Sequence, residues 1–261
     1  MTKLLNFIKK TFHATSKWLA ILALILLATF SSISDQTIRD KSGTLSTQKV
    51  SSFYSTSYRN AIKKSRRSAV RVISIDVTTG AISTFSGTYI ESYGNYFVAT
   101  VAHGLIGRCD STKIVFDQNV YDCLKLIEVD NINDYALIQV EEIEVRKAVN
   151  IPQDLPKRKQ WKGIYSTLNK VVYTGYPNSI GPLSIEGHIA GSSGNRFIYL
   201  HSYAWEGSSG SGVFDYRGKY IGHVVAIDVG STEFGVQVLN NVVLVIPSFK
   251  IDWTKTITEA E

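Results

Sequence analysis

The sequence predicts an all-β protein of two six-stranded antiparallel β-barrels behind an N-terminal hydrophobic helix. Three observations carry this. Short runs rich in Val, Ile, Tyr, Phe and Thr recur from residue 69 onward, separated by turn residues, which is the pattern of half-buried strands. A charged stretch with Pro152 and Pro156, residues 141–169, divides those runs into two sets of six. The longest apolar run, Trp18–Phe30, stands apart near the N-terminus and is flanked by lysines.

Residues 1–17 hold Lys3, Lys9, Lys10 and Lys17 and no acid, and read as a basic cytoplasmic segment. Residues 18–33 follow as a membrane anchor or the apolar region of a signal peptide. A spanning helix wants about 20 residues, and a signal apolar region about 7–15; this run falls between. Lysines ahead of it keep the first residues inside and send the rest across. The long basic lead favours a retained anchor. Ser32 and Ser34 offer the small residues of a cleavage site, which would make the protein secreted. In both cases the remainder is exported, to the periplasmic or extracellular side.

Residues 34–57 are rich in Ser and Thr and predict a linker. Tyr58–Ser68 predicts a short basic helix. The first barrel is expected over 58–150, with strands at 69–77, 82–90, 95–102, 113–116, 124–129 and 136–140. The second is expected over 151–252, with strands at 171–174, 183–190, 196–201, 212–214, 220–228 and 234–246, and a tail over 253–261.

Formal net charge is +6, from 28 Lys and Arg against 22 Asp and Glu. The four N-terminal lysines account for most of the excess. The rest of the chain is close to neutral, which argues against a nucleic-acid partner. The run Lys63, Lys64, Arg66, Arg67 reads as a solvated helix face; contact with anionic lipid or nucleic acid is the alternative. The two cysteines, Cys109 and Cys123, permit one disulfide in an exported domain. It would stabilise by ~3 kcal/mol through chain entropy. Two free thiols are the other possibility. No Cys/His cluster has zinc spacing, so neither metal nor cofactor is expected.

The chemistry-bearing residues lie at strand ends. Glu206-Gly207-Ser208-Ser209-Gly210-Ser211-Gly212 puts a serine in a tight glycine-rich turn. A phosphate loop is excluded, because no Lys-Ser or Lys-Thr follows Gly210 or Gly212. A G-x-S-x-G elbow is excluded, because Ser211 stands where its last glycine belongs. A serine hydroxyl needs a base and an orienting acid. His103 closes the run Tyr96–Ala102, and Asp134 opens the run Ala136–Val140. The order His, Asp, Ser is a known order for a triad.

These segments carry a resemblance. Thr100-Val101-Ala102-His103, Asp134-Tyr135-Ala136-Leu137-Ile138 and Gly207-Ser208-Ser209-Gly210-Ser211 resemble the three motifs of the trypsin-like (chymotrypsin-fold) serine peptidases, with gaps of 31 and 75 residues. The spacing is most similar to the bacterial Deg, or high-temperature-requirement, branch and the glutamyl endopeptidases. Gly175-Tyr176-Pro177 and Val245-Ile246-Pro247-Ser248 fit that branch. The resemblance covers about residues 60–250. It implies a serine endopeptidase with peptide or protein substrates, in which His103, Asp134 and Ser209 form the triad and the N–H groups of Gly207 and Ser209 the oxyanion hole. It places Tyr203, Ala204, Val224, Ala226 and Ile227 around the primary specificity pocket, suited to a small or medium apolar residue. Tyr203 stands where an acid would select Lys or Arg. His223 lies one residue early for the histidine of glutamyl endopeptidases, so acidic preference is the weaker option. His223, His188 and His201 read as structural. Ser208 replaces the Asp that receives a freed N-terminus in digestive enzymes, so that activation route is not expected. The stretch after Pro247 is too short for a PDZ-type module. A protease-fold binding module without turnover is the competing reading, and a lipid- or nucleic-acid-binding anchor protein a more distant one.

Overall fold

The computed structural model describes residues 50–194, 196–232 and 235–258, with backbone alone over 226–240. Residues 1–17, the apolar segment 18–33 and the linker up to residue 49 lie outside the described residues. Among those described, no helix is long and apolar enough to cross a membrane.

The chain enters through helix α1 (Thr56–Ser68). Ser55 caps it, its hydroxyl accepting the Tyr58 N–H at 3.3 Å, and Arg66 and Arg67 lie at the negative end of the helix dipole. Tyr58, Ala61, Ile62, Ser65 and Arg66 share its buried face at helical spacing. The basic run is only partly a solvated face. Lys64 pairs with Asp154 at 2.7 Å, and buried Arg66 reaches the Ser184 hydroxyl at 2.9 Å.

The first sheet contains β1 (Ala69–Ile75), β2 (Ile82–Ser92), β3 (Asn95–Thr100), β4 (Thr112–Phe116), β5 (Asn119–Asp122), β6 (Lys125–Asp130), β7 (Tyr135–Val140) and β8 (Val149–Ile151). Its order is β5-β4-β1-β2-β3-β7-β6, antiparallel throughout, with β8 added parallel to β2. It curls as a half-barrel rather than closing. The second sheet closes. Strands β9 (Lys170–Gly175), β10 (Leu183–Ser193), β11 (Phe197–His201), β12 (Gly212–Asp215), β13 (Tyr220–Thr232) and β14 (Gly235–Pro247) form the ring β10-β11-β14-β13-β12-β9. The expected double-barrel architecture is present, with two strands, β5 and β8, beyond the twelve read from sequence.

Each half has its own apolar core. Val70, Val72, Phe85, Tyr89, Val98 and Ile138 fill the first. Val171, Tyr173, Ile189, Leu200, Val213 and Val243 fill the second. A third cluster joins them: Tyr58, Ala61 and Ile62 of α1 pack with Ile90, Ala99 and Leu137 of the first sheet and Val172, Phe214 and Tyr220 of the second. Full burial of each such side chain is worth about 1.5–3 kcal/mol, so this seam holds the halves in fixed register. The side-chain hydrogen bonds of α1 reach the second barrel. Tyr58 Oη donates to the Val171 carbonyl at 3.0 Å and Ser65 Oγ to Thr174 Oγ1 at 2.8 Å. Cys109 and Cys123 are joined in a disulfide that spans the loop after His103. The tail forms a short helix over Lys255–Thr258, and buried Thr256 meets Ser92 Oγ at 2.8 Å on β2.

Candidate active site

His103 follows the end of β3 in a turn closed by the Leu105 N–H on the Ala102 carbonyl at 3.0 Å. A Cβ on Gly104 would stand 2.8 Å from the Phe85 ring, so only glycine lets the chain turn against this core residue. Asp134 ends the turn before β7. Asp130 Oδ1 builds that turn by accepting the N–H groups of Ile132 and Asn133 at 2.8 and 2.9 Å. Asp134 has φ of +52°, a left-handed conformation that Asp tolerates better than most residues.

The two side chains meet. His103 Nδ1 lies 2.7 Å from Asp134 Oδ2, while Asp134 Oδ1 accepts the N–H groups of Ala102 and His103 at 3.0 and 2.9 Å. Burial raises the Asp134 pKa, but the bonds from the His103 ring and backbone and the nearby histidine charge outweigh it, and the net shift is downward. The carboxylate is therefore ionised at neutral pH and can only accept. That places the proton on Nδ1 and leaves the Nε2 lone pair of His103 free.

Asp134 is also held from behind. His223, on β13 and fully buried, has Nε2 at 3.1 Å from the Asp134 carbonyl. A carbonyl only accepts, so Nε2 carries the proton and Nδ1 is bare; Nδ1 has no partner within the described residues. Burial pushes the His223 pKa down to about 4, below its ordinary 6.5. The unfolded chain therefore takes up a proton near pH 6.5 that the folded chain refuses until about pH 4. Stability is fully present above pH 6.5 and falls as pH drops between those values, by about 3 kcal/mol. Urea unfolding from pH 7 to 4 measures this, and His223→Gln, which keeps a donor and cannot titrate, is expected to flatten the slope over that interval. An equal slope in the variant would assign the effect to other groups.

Ser209 sits on the loop between β11 and β12. Gly207 and Gly210 take φ of +86° and +85°. A Cβ on Gly210 would lie 1.9 Å from the Ser86 carbonyl oxygen, so glycine is obligatory there. The loop is braced from both halves: Gly210 N–H donates to the Val224 carbonyl at 2.7 Å, and Ser86 N–H donates to the Ser209 carbonyl at 2.8 Å. Ser208, buried, accepts the Trp205 N–H at 3.1 Å and returns its own N–H to the Trp205 carbonyl at 2.9 Å. The Ser209 hydroxyl donates to the Val225 carbonyl at 2.8 Å. That carbonyl is free because the β13–β14 register shifts between Val224 and Ala226, a bulge beside the site. Strand β13 thus touches Asp134 at His223 and Ser209 at Val225, two residues apart. Within the described residues neither the Gly207 nor the Ser209 N–H donates to a protein acceptor.

The model of the trypsin-like peptidase domain matches residues 85–222, just over half of the chain, and this span contains His103, Asp134 and Ser209. The chain belongs to the trypsin-like peptidase family. This is a family of serine-type endopeptidases. Among solved structures, the trypsin-like domain is similar to the serine endoprotease from Yersinia pestis, at 18% identity and a TM-score of 0.57, over 79% of this chain and 67% of that one. It is also similar to the HtrA-type protease AlgW with tripeptide, at 19% identity and a TM-score of 0.59, over 78% of this chain and 64% of that one. The chain thus spans about two thirds of these neighbours' length, and at such identity the likeness carries the fold. No curated protein matches it by sequence.

In this trypsin-like domain the residues expected around the specificity pocket are placed unevenly. Tyr203 is half exposed and stacks on Trp205, ring centroids 6.2 Å apart, while its carbonyl accepts the Tyr173 hydroxyl. Ala204 and Val224 are buried in the core of the second barrel. The side chains of Ala226 and Ile227 lie outside the described residues. A polar cavity of about 340 Å³ opens beside Gly207, walled by Ile82, Thr84, Asn178, Ser179 and Glu206. Sequence reasoning passed over Ser86, which lies inside a strand run and carries no local mark of contact with the Ser209 loop, and read Val225 only as part of the strand expected to line the pocket. Among the described residues no group of three or more His, Cys, Asp or Glu is placed to hold a metal.

Proposed function

We propose that the protein is an exported serine endopeptidase, tethered to a membrane through residues 18–33, that cleaves peptide bonds through an acyl-enzyme on Ser209. The observation that carries this reading is the 2.7 Å contact of His103 Nδ1 with ionised Asp134, which leaves Nε2 as a base. In the proposed reaction the Ser209 side chain turns about its Cα–Cβ bond from the Val225 carbonyl toward His103. Exchanging one neutral hydrogen bond for another costs about 1 kcal/mol or less. His103 Nε2 takes the hydroxyl proton as Oγ attacks the substrate carbonyl. The Gly207 and Ser209 N–H groups, which have no acceptor among the described residues, stabilise the oxyanion. His103 then gives its proton to the leaving amine, and water releases the acyl group by the same route.

The substrate class is peptide or protein, with a small or medium apolar residue before the cut. Labelling tests the reading. The full-length protein in detergent is expected to react with a fluorophosphonate probe, with the adduct mapped to Ser209 by mass spectrometry. A folded protein that takes no label would instead favour the protease-fold binding module without turnover. The mass of the mature protein distinguishes a retained anchor from a cleaved signal.

A further inference from the structure

Ser86 is fully buried on β2 of the first half, yet its bonds reach across to the nucleophile loop of the second. Its hydroxyl accepts the Tyr176 N–H at 2.9 Å and lies 2.6 Å from the Gly207 carbonyl. An N–H can only donate, so the hydroxyl proton must point at Gly207. Its N–H holds the Ser209 carbonyl at 2.8 Å, and its own carbonyl accepts Thr100 Oγ1 at 2.6 Å. Thr100 lies three residues before His103. One serine therefore connects the strand that presents the base to the two residues whose N–H groups face the reaction.

We infer that Ser86 is a positioning residue for the oxyanion hole, its hydroxyl holding the Gly207–Ser208 peptide so that the donors at 207 and 209 converge. The geometry leaves little slack. A Cβ on Gly175, the last residue of β9, would stand 2.7 Å from Ser86 Oγ, and one on Gly210 would collide with the Ser86 carbonyl, so β9 and the loop both close on this residue. The neighbouring peptide is fixed separately, by the Asn178 N–H on the Glu206 carbonyl at 2.7 Å. With both flanking carbonyls held, the Gly207 N–H has one direction open to it. Removing the Ser86 hydroxyl frees the Gly207 carbonyl, and the adjoining peptides can rotate. Donors that stabilise charge only in the transition state then lose alignment, while ground-state binding is little affected.

The inference rests on the serine-hydrolase reading, and its test separates the two. Saturation labelling with a fluorophosphonate probe gives a limiting rate and a half-saturating concentration for wild type, Ser86→Ala and Ser86→Cys; the cysteine keeps the shape with a weak donor and serves if the alanine variant does not fold. The expected result is a limiting rate about 10- to 100-fold lower in a folded variant, the scale of a misplaced catalytic group, with half-saturation within about twofold. A folded variant that labels at the wild-type limiting rate, or that changes only half-saturation, overturns the role of Ser86 alone. A wild type that does not label overturns the serine-hydrolase reading and this inference with it.

Discussion

Ser209→Ala is expected to lower the limiting rate of hydrolysis of a labelled casein by about 10⁶-fold, the scale seen when a nucleophile of this type is removed. The reason is that in the proposed mechanism Ser209 Oγ forms the acyl bond. In the proposed mechanism the oxyanion donors and substrate binding remain, so a residual rate of about 10³–10⁴ over water is expected. Stability should barely move. The substitution leaves only the Val225 carbonyl without its 2.8 Å donor, at the rim of the site. A thermal melt beside the rate measurement checks that separation. Retention of more than a hundredth of the wild-type rate in a clean preparation would mean that another residue attacks.

Asp134→Asn is expected to cost about 10⁴-fold in the same rate, for a reason visible in the hydrogen bonds. Oδ1 accepts two backbone N–H groups, from Ala102 and His103. An amide must present its oxygen there, because an NH₂ would face two donors. Its NH₂ then faces His103 Nδ1, which must accept. The ring proton moves to Nε2, and the base no longer has a lone pair toward the serine. The fold is kept, since the two backbone bonds and the bond from His223 to the Asp134 carbonyl survive. The prediction is therefore a rate loss without a shift in unfolding midpoint. A variant within tenfold of wild type would remove Asp134 from the proposed mechanism.

The strands were legible because each depends on local pattern. Runs such as Tyr96–Thr100 and Ala136–Val140 announce buried strands by composition, and His103 and Asp134 stand at their ends. The contact between them is consistent with those positions. What the sequence did not reveal depends on pairing across the molecule. Strand β5 is mostly exposed and has little apolar pattern to read, and β8 has only three residues and pairs in parallel with β2. The open first sheet likewise follows from which edges find partners. Ser86 shows the same limit at the site. In Thr84-Phe85-Ser86-Gly87-Thr88 it reads as an ordinary strand serine, and its part emerges only when a loop more than a hundred residues away lies against it. The pocket residues Ala204 and Val224 were placed by resemblance, and their side chains pack in the barrel core.

Helix α1 precedes the first sheet in the chain but is fastened to the second barrel through Tyr58, Ser65 and Arg66. Mechanical load arriving along the leader at residue 56 is thus delivered to the lobe that carries Ser209 through side-chain anchors on β9 and β10, and to β3 and β7 through the packing against Ala99 and Leu137. A tug on the leader would therefore be shared by both halves at the buried cluster that joins them.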